Sequence, residues 1–537
     1  MFFRVKGTGA YRYLQLVENH REGRRTVQRV LCTLGRVDQL SATGATDVLL
    51  RSLARFGQTV RLVDGYQRGH LEAGVVRKLG PDLIFGRLWE EVGVRRVLTE
   101  LLRDRRFEFP VERGVYLTVL HRLFESGSDR SAERWRRDVR VSGVQELELH
   151  HLYRAMRWLG EVKEEVEERL FHARRDLFTE LSLAFFDTTS LYFEGRGGES
   201  LGRYGHSRDH RPDLRQMVVG AVLTGDGRPV CCELWPGNHA DGKALLPVVD
   251  RLRERFGLHR VCWVADRGMV SEAAIQGLEE RRLEYILGAR MRRQREVREV
   301  VLSRAGRYHQ VAENLRVKEV RLKDRRYILC HNPEEAARDA SDREAIVEAL
   351  EDALRQGARQ LVGNRGYRRF LRVEKGAITI DPKKVAADAR YDGKFVLRTN
   401  TTLPASEVAV QYKRLLLVEQ FFRATKSLLE TRPIFHQWDA TIRGHVFCSF
   451  LALVLMDELR RRLGERGWRL DWDVIRQDLE ALAEVEVREG DQWYLLRTAL
   501  QGAAGKVLQA VGVAVPPPVR PVLNLTKGPA SPVVPKP

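Results

Sequence analysis

Residues 183–193 read LAFFDTTSLYF. An apolar run with two Phe leads into one acid, Asp187, and a run so short reads as a buried strand rather than a helix. A charged residue straight after such a run hangs at the edge of a sheet, held by the core yet facing solvent. RVCWVADRGM, residues 260–269, repeats the pattern and places Asp266 after a second apolar run. Either aspartate alone reads as a cap for the next turn, Asp266 ahead of GMVSEAAIQ above all. Two of them ending separate strands of one sheet can converge on one point.

The surrounding sequence supports that sheet. SLAFFD, QMVVGAVLT and PVCCELW are three strand-like runs joined by Gly-containing turns (GRGGES, TGDGRP). ALLPVVDRLRERF, HRVCWVAD, EAAIQGLEERR and EYILGAR then alternate helix, strand, helix, strand. This order predicts a mixed α/β sheet. Before it, residues 1–60 alternate like short strands, and residues 61–180 carry helical periodicity in a basic unit, expected to bind DNA. After it, YHQVAENLRVKEVRL, RRYILCH and RRFLRVEKGAITI surround one helix, REAIVEALEDALRQ, and predict a self-contained β-rich insertion over 296–398. The expected boundaries are therefore a catalytic domain in two parts, 181–295 and 399–465, a C-terminal helical extension over 466–514 and a Pro-rich flexible tail over 515–537.

With 43% hydrophobic and 31% charged residues the composition is globular rather than disordered or fibrous. Lys and Arg number 92 against 73 Asp and Glu, a net charge of +19. An Arg-rich excess of this size suits phosphate, because guanidinium is a planar fork of donors, and makes nucleic acid the leading partner. The six cysteines form no C-x-x-C pair, so a zinc ribbon and a disulfide framework are not indicated and a reducing cytosol fits. The N-terminus lacks the apolar core of a secretory signal. The most apolar stretch, Val446 to Met456, is short of the roughly 20 residues that span a bilayer and reads as a buried helix.

A metal site built from oxygen ligands needs a third acid. YKRLLLVEQFFRATKS, Tyr412 to Ser427, reads as one amphipathic helix in which Glu419 stands among cations. Tyr412, Glu419 and Lys426 are seven apart, and Arg423 follows Glu419 by four, so all four share a face. The bland alternative is a solvated ion pair between Glu419 and Arg423. Carboxylates alone select hard ions, Mg²⁺ in particular. Two such ions about 4 Å apart activate a nucleophile on one side of a phosphate and stabilise the leaving oxygen on the other.

FFDTTSLYFEG, YGHSRDHRPDLRQMVVG, PGNHADG, WVADRGM and YKRLLLVEQFFRATKS, in this order, resemble an insertion-sequence DDE transposase. The resemblance is to the branch with a Tyr-Arg-Glu-Lys signature and a β-rich insertion. It implies an RNase H-like fold in which Asp187, Asp266 and Glu419 are catalytic metal ligands for two Mg²⁺ ions, with Mn²⁺ able to substitute. It implies metal-dependent cleavage at transposon ends and 3′-hydroxyl strand transfer into target DNA, cut-and-paste with hairpin ends as a variant. Tyr412, Glu419 and Lys426 match the signature, but Leu415 stands where it has Arg, and Arg414 beside it projects about 100° away on a helix. The partners implied are double-stranded DNA with terminal inverted repeats, target DNA and a second copy in the synaptic complex, with no membrane and no small-molecule substrate. The expected location is bacterial-type cytoplasm, at the nucleoid. A structure-specific nuclease and a non-catalytic transposase-derived DNA-binding protein are the alternatives.

The candidate DNA contacts are Tyr412, Arg414, Arg423 and Lys426 on that helix, Arg208 and Arg211 in HSRDHRPD, and Arg290, Arg292 and Arg293 in GARMRRQREVR. The HSRDHRPD stretch reads equally as a loop bonded to itself. His445 reads as a core histidine.

Overall fold

The computed structural model describes residues 1–22, 25–54, 66, 69–174, 182–240, 244–257, 261–356, 369–374 and 377–522. They form two compact units, Pro81–Arg469 and a second that combines Met1–Gly80 with Leu470–Pro537.

The first unit is built on one nine-stranded sheet, whose strands are numbered here from its own first. They are β1 (Leu183–Tyr192), β2 (Gln216–Thr224), β3 (Pro229–Pro236), β4 (Cys262–Ala265), β5 (Tyr285–Gly288), β6 (His309–Ala312), β7 (Leu315–Leu322), β8 (Arg325–His331) and β9 (Lys394–Thr399). Their spatial order is β6-β7-β8-β9-β5-β4-β1-β2-β3. β1, β2 and β3 form an antiparallel meander, while β4 and β5 run parallel to β1. Around the sheet lie α1 (Val111–Phe124), α2 (Leu149–Glu161), α3 (Leu245–Phe256), α4 (Glu272–Glu280), α5 (Pro333–Gln356), α6 (Ala405–Lys413), α7 (Leu416–Arg423) and α8 (Asp439–Glu465).

The parallel strands need crossovers, and α3 and α4 supply them. Both pack on one face, where Val248, Leu252, Ile275 and Leu278 meet Ala184, Phe186, Val222 and Trp263. Side chains alternate along a strand, so Asp187 shares the opposite face with Phe185. That is the face α7 covers, in contact with β1 and β2. The alternation that buries Phe186 therefore aims Asp187 at the helix bearing Glu419.

The segment 296–398 is not the separate β module expected from its sequence. β6, β7, β8 and β9 continue the same sheet, β9 pairing antiparallel with β5. RRYILCH and KFVLRT are apolar enough to be buried on both faces, and adding them to an existing edge satisfies a row of N–H and C=O groups. What departs from the sheet is the stretch from Pro333 through α5, a hairpin (Leu371–Glu374 with Ala377–Ile380) and the helix Pro382–Ala389. It has a small core of its own around Leu350, Phe370 and Leu371.

α8 is the one helix among the described residues long and apolar enough to cross a membrane, and 83% of that apolar window is buried inside the protein. It crosses α2 at two glycines. A Cβ on Gly160 would overlap the Ala440 carbonyl, and one on Gly444 the Met156 carbonyl, so the two backbones touch.

In the second unit, Phe2–Thr8, Tyr11–Glu22 and Arg25–Arg36 make an antiparallel meander where alternation placed strands. The stretch 466–514 is only partly helical. Ala483–Glu489 and Gln492–Arg497 form a hairpin between the helices Trp472–Ala481 and Ala504–Val511, and Leu71–Lys78 pairs with its first strand. AEVEVRE alternates, and Gly490, at φ 60, turns the chain after it. The start of the Pro-rich tail is also ordered, Val519–Pro521 pairing with the hairpin. Residues 523–537 lie outside the described residues.

Candidate active site

Asp187 is the fifth residue of β1, not its end, paired opposite Ala221 of β2. The TTSLY that follows stays extended because β2 continues alongside it. The carboxylate accepts from the Thr188 N–H at 2.7 Å, and the Arg208 guanidinium lies 3.8 Å from it. Burial pushes its pKa up to about 6. The Thr188 N–H and Arg208 oppose the rise, while the charges of Asp266 and Glu419 add to it.

Asp266 does follow the last residue of β4, and it also fills the capping role weighed for it. It is the N-cap of a short 3₁₀ turn, Arg267–Met269, accepting from the Gly268 N–H. Its other oxygen accepts from the Tyr412 hydroxyl at 2.9 Å. Tyr412 comes from the end of α6 and stacks on Phe395 with ring centroids 5.8 Å apart. Burial, then the Asp266 charge, raises the pKa of the hydroxyl, so it remains a donor. Gly288, the last residue of β5, makes the approach possible: a Cβ there would lie 2.5 Å from that hydroxyl and 2.8 Å from the Arg267 nitrogen. Arg290 braces the same turn by donating to the Arg267 and Gly268 carbonyls at 3.0 and 2.8 Å.

Glu419 lies in the first turn of α7 and is exposed. The single helix expected over 412–427 is broken. α6 ends at Lys413, α7 begins at Leu416, and a π turn covers Ala424–Leu428. Leu415, Val418 and Phe422, spaced as one helical face, are buried together across the break, and Glu419 is exposed. Leu415, at the signature Arg position, is thus a core residue. Arg414 reaches the Gly225 carbonyl at 3.4 Å. Among the described residues Glu419 and Arg423 form no ion pair, so the bland reading of their spacing does not hold.

The loop His206–Asp213 ties the two acidic elements together. Arg208 donates to the Thr188 hydroxyl and carbonyl on β1. Its neighbour Asp209 accepts from Lys426 at 2.9 Å and lies 3.2 Å from Arg432. Lys426 therefore shares no open face with Glu419; it is half-buried, and burial lowers its pKa. Arg211 pairs with Asp213 at 2.9 Å. Arg292 pairs with Asp388 and lies 4.5 Å over the Tyr391 ring, and Arg293 is exposed. His445 is buried, within 2.7 Å of Arg122 and 3.0 Å of the Thr431 carbonyl.

Asp209, Arg432 and Gly288 were not singled out from sequence. Asp209 sits in a loop whose density of polar groups was visible, but its partners follow it by more than 200 residues.

No three His, Cys, Asp or Glu side chains close into an ion-binding cluster among the described residues. Asp187 and Asp266 stand on adjacent parallel strands or at their ends, and α7, which bears Glu419, packs against the strand of Asp187. The three acids offer oxygen only, which suits a hard divalent ion. Their mutual repulsion is what such an ion would relieve, so the donor set fits it.

Residues 3–65 match the N-terminal domain of IS1634 family transposases, and residues 179–455, just over half the chain, match the transposase DDE domain. No curated protein matches. Two solved structures show slight likeness. A piggyBac transposase synaptic complex with hairpin DNA is 10% identical over 75% of this chain and 78% of that one, with a TM-score of 0.38. A Mos1 transposase paired-end complex with the left transposon end is 12% identical over 36% and 77%, with a TM-score of 0.15. On the two family matches, the chain belongs to the insertion-sequence DDE transposases, enzymes of DNA transposition that depend on a divalent metal.

Proposed function

We propose that Asp187, Asp266 and Glu419 are the catalytic carboxylates and hold two Mg²⁺ ions, with Mn²⁺ able to substitute. The observation that carries this is the placement of Asp187 on β1, of Asp266 at the end of the adjacent parallel strand β4, and of Glu419 on α7, which packs against β1 and β2. Bound divalent ions supply Lewis acidity at the scissile phosphate.

The chain's own groups do the rest. Tyr412 fixes the Asp266 carboxylate through its hydroxyl, and Arg208 steadies Asp187 from its open side. Lys426 and Arg432, gathered by Asp209, and the exposed Arg414, Arg423 and Arg293 present cations to the phosphate backbone. Arg211, Arg290 and Arg292, like Lys426, Arg432 and Arg414 already bonded within the protein, contact DNA through their outer edges. Hydrolysis at each transposon end breaks a P–O bond and frees a 3′-hydroxyl. That hydroxyl then attacks a target phosphodiester, forming one ester as another breaks, with no covalent protein intermediate.

β1 to β5 with α3, α4 and α7 serve as an RNase H-like catalytic core. Residues 61–180 contribute DNA binding, and two copies hold the two ends in a cut-and-paste synaptic complex at the bacterial nucleoid. The test is purified protein with DNA bearing the terminal repeats that flank its gene, plus Mg²⁺. Strand cleavage and joining are expected, and both vanish in Asp187→Ala, Asp266→Ala and Glu419→Ala. Binding without cutting, even with Mn²⁺, overturns the proposal, and cutting of unrelated branched DNA points to a nuclease.

A further inference from the structure

A cavity of about 680 Å³ is lined by Arg432 together with Asp129, Tyr153, Phe435, His436 and Trp438. That is within the roughly 300–1,000 Å³ range of sites that hold small organic groups. Phe435 and Trp438 at its rim are 64% and 61% exposed, unusual for large aromatics. Asp129, also in its lining, is 1% exposed, and neither carboxylate oxygen receives a hydrogen bond among the described residues. His436 Nε2 lies 3.7 Å from one of these oxygens. A buried carboxylate without donors is costly, so it marks a place where donors are meant to arrive.

The charges around the cavity tell which guest fits. Burial raises the pKa of Asp129 and the charge of Arg122, which bonds His445, opposes the rise, while Arg432 stands beside Glu430 in the lining. Burial holds His436 and His445 below their usual pKa, hence neutral. A phosphate finds Arg432 already facing Asp209, and an organic cation finds the acids already balanced. A neutral planar ring with donors on one edge matches both the aromatics and the lone carboxylate.

We propose that this cavity is a nucleobase site that selects guanine, its ring against Phe435 and Trp438 and its N1–H and N2 amino group donating to the two oxygens of Asp129. Guanine alone among the DNA bases carries two adjacent donors on that edge. Adenine and cytosine set an acceptor beside their amino group, and thymine flanks its single N–H with carbonyls. The site abuts the catalytic elements. Arg432 lines it, lies 3.2 Å from Asp209 and stands 5.5 Å over the ring of Tyr192, the last residue of the strand bearing Asp187. The base could come from unpaired DNA or from a free guanine nucleoside, and both share this chemistry.

Calorimetric titration of the full chain, without metal, with guanosine, inosine, adenosine and cytidine tests the site. Guanosine should bind about tenfold or more tightly than inosine, which lacks the N2 amino group, and than adenosine and cytidine. Asp129→Asn should abolish that preference. Trp438→Ala, at an exposed position that leaves folding intact, should weaken every nucleoside. An oligonucleotide with one unpaired guanine that competes with guanosine, where the paired duplex does not, assigns the base to DNA; failure to compete assigns it to a free nucleoside. Absent binding, nucleoside affinities indifferent to both variants, or binding of arginine methyl ester in place of nucleosides each overturns the proposal. No strand cleavage is read in these titrations, so their failure leaves the roles of Asp187, Asp266 and Glu419 standing.

Discussion

Asp187 shows at single-residue scale what the proposed site costs the fold. Its pKa of about 6 records an ionised carboxylate disfavoured by burial and by two neighbouring acids. Asp187→Asn keeps an oxygen for the Thr188 N–H and removes one of the three charges. In EDTA at pH 8 the variant should be more stable than the parent by about 2 kcal/mol, read by thermal melting, while strand cleavage is lost. Tyr412→Phe removes the donor to Asp266. Cleavage rate should fall about tenfold to a hundredfold with DNA affinity unchanged, as measured by single-turnover kinetics beside a binding titration. The aspartates were legible because an acid after FF or WVA stands out against its neighbours. Gly288 was not, since its role is to leave room for an oxygen supplied by residue 412, and nothing in EYILGAR speaks of that.

Among the elements, the α2–α8 crossing has the least tolerance. Gly444→Ala forces a methyl group into the Met156 carbonyl, and the helices must separate. A loss of about 2 to 3 kcal/mol is expected, seen as a lower midpoint in urea with an unchanged slope. The succession of strands and helices along the chain was readable because short apolar runs alternate with amphipathic helices. The break between α6 and α7 was not, because YKRLLLVEQFFRATKS keeps a helical period across Arg414 and Leu415 and nothing local marks a stop. There the chain only tightens, the Leu415 and Leu417 N–H groups donating three residues back, to the Tyr412 and Arg414 carbonyls. The hairpin after Trp472–Ala481 was missed for the opposite reason, its alternating residues having been absorbed into the helix before it.

For the molecule as a whole, the net charge of +19 sets an expected salt dependence of DNA binding. If DNA contact neutralises about 6 to 10 phosphates, affinity should drop about 10³- to 10⁵-fold between 50 and 200 mM salt, with a linear log–log dependence. Chelating divalent ions should stop cleavage while leaving most of that binding in place, as a gel-shift run beside a cleavage assay would show. Composition carries that expectation, but not the division of the chain, because Leu71–Lys78 pairs with a strand more than 400 residues later and no local pattern announces such a partner.

The point where the polypeptide leaves the large sheet has a practical consequence. β8 and β9 are neighbours, His331 stands opposite Lys394, and the Asn332 N–H meets the Gly393 carbonyl at 2.7 Å. Sixty residues thus depart and return through a doorway one peptide wide, which a two-residue turn could close. Whatever the excursion contributes to handling long nucleic acid, it can be cut away at that doorway and its contribution measured by subtraction.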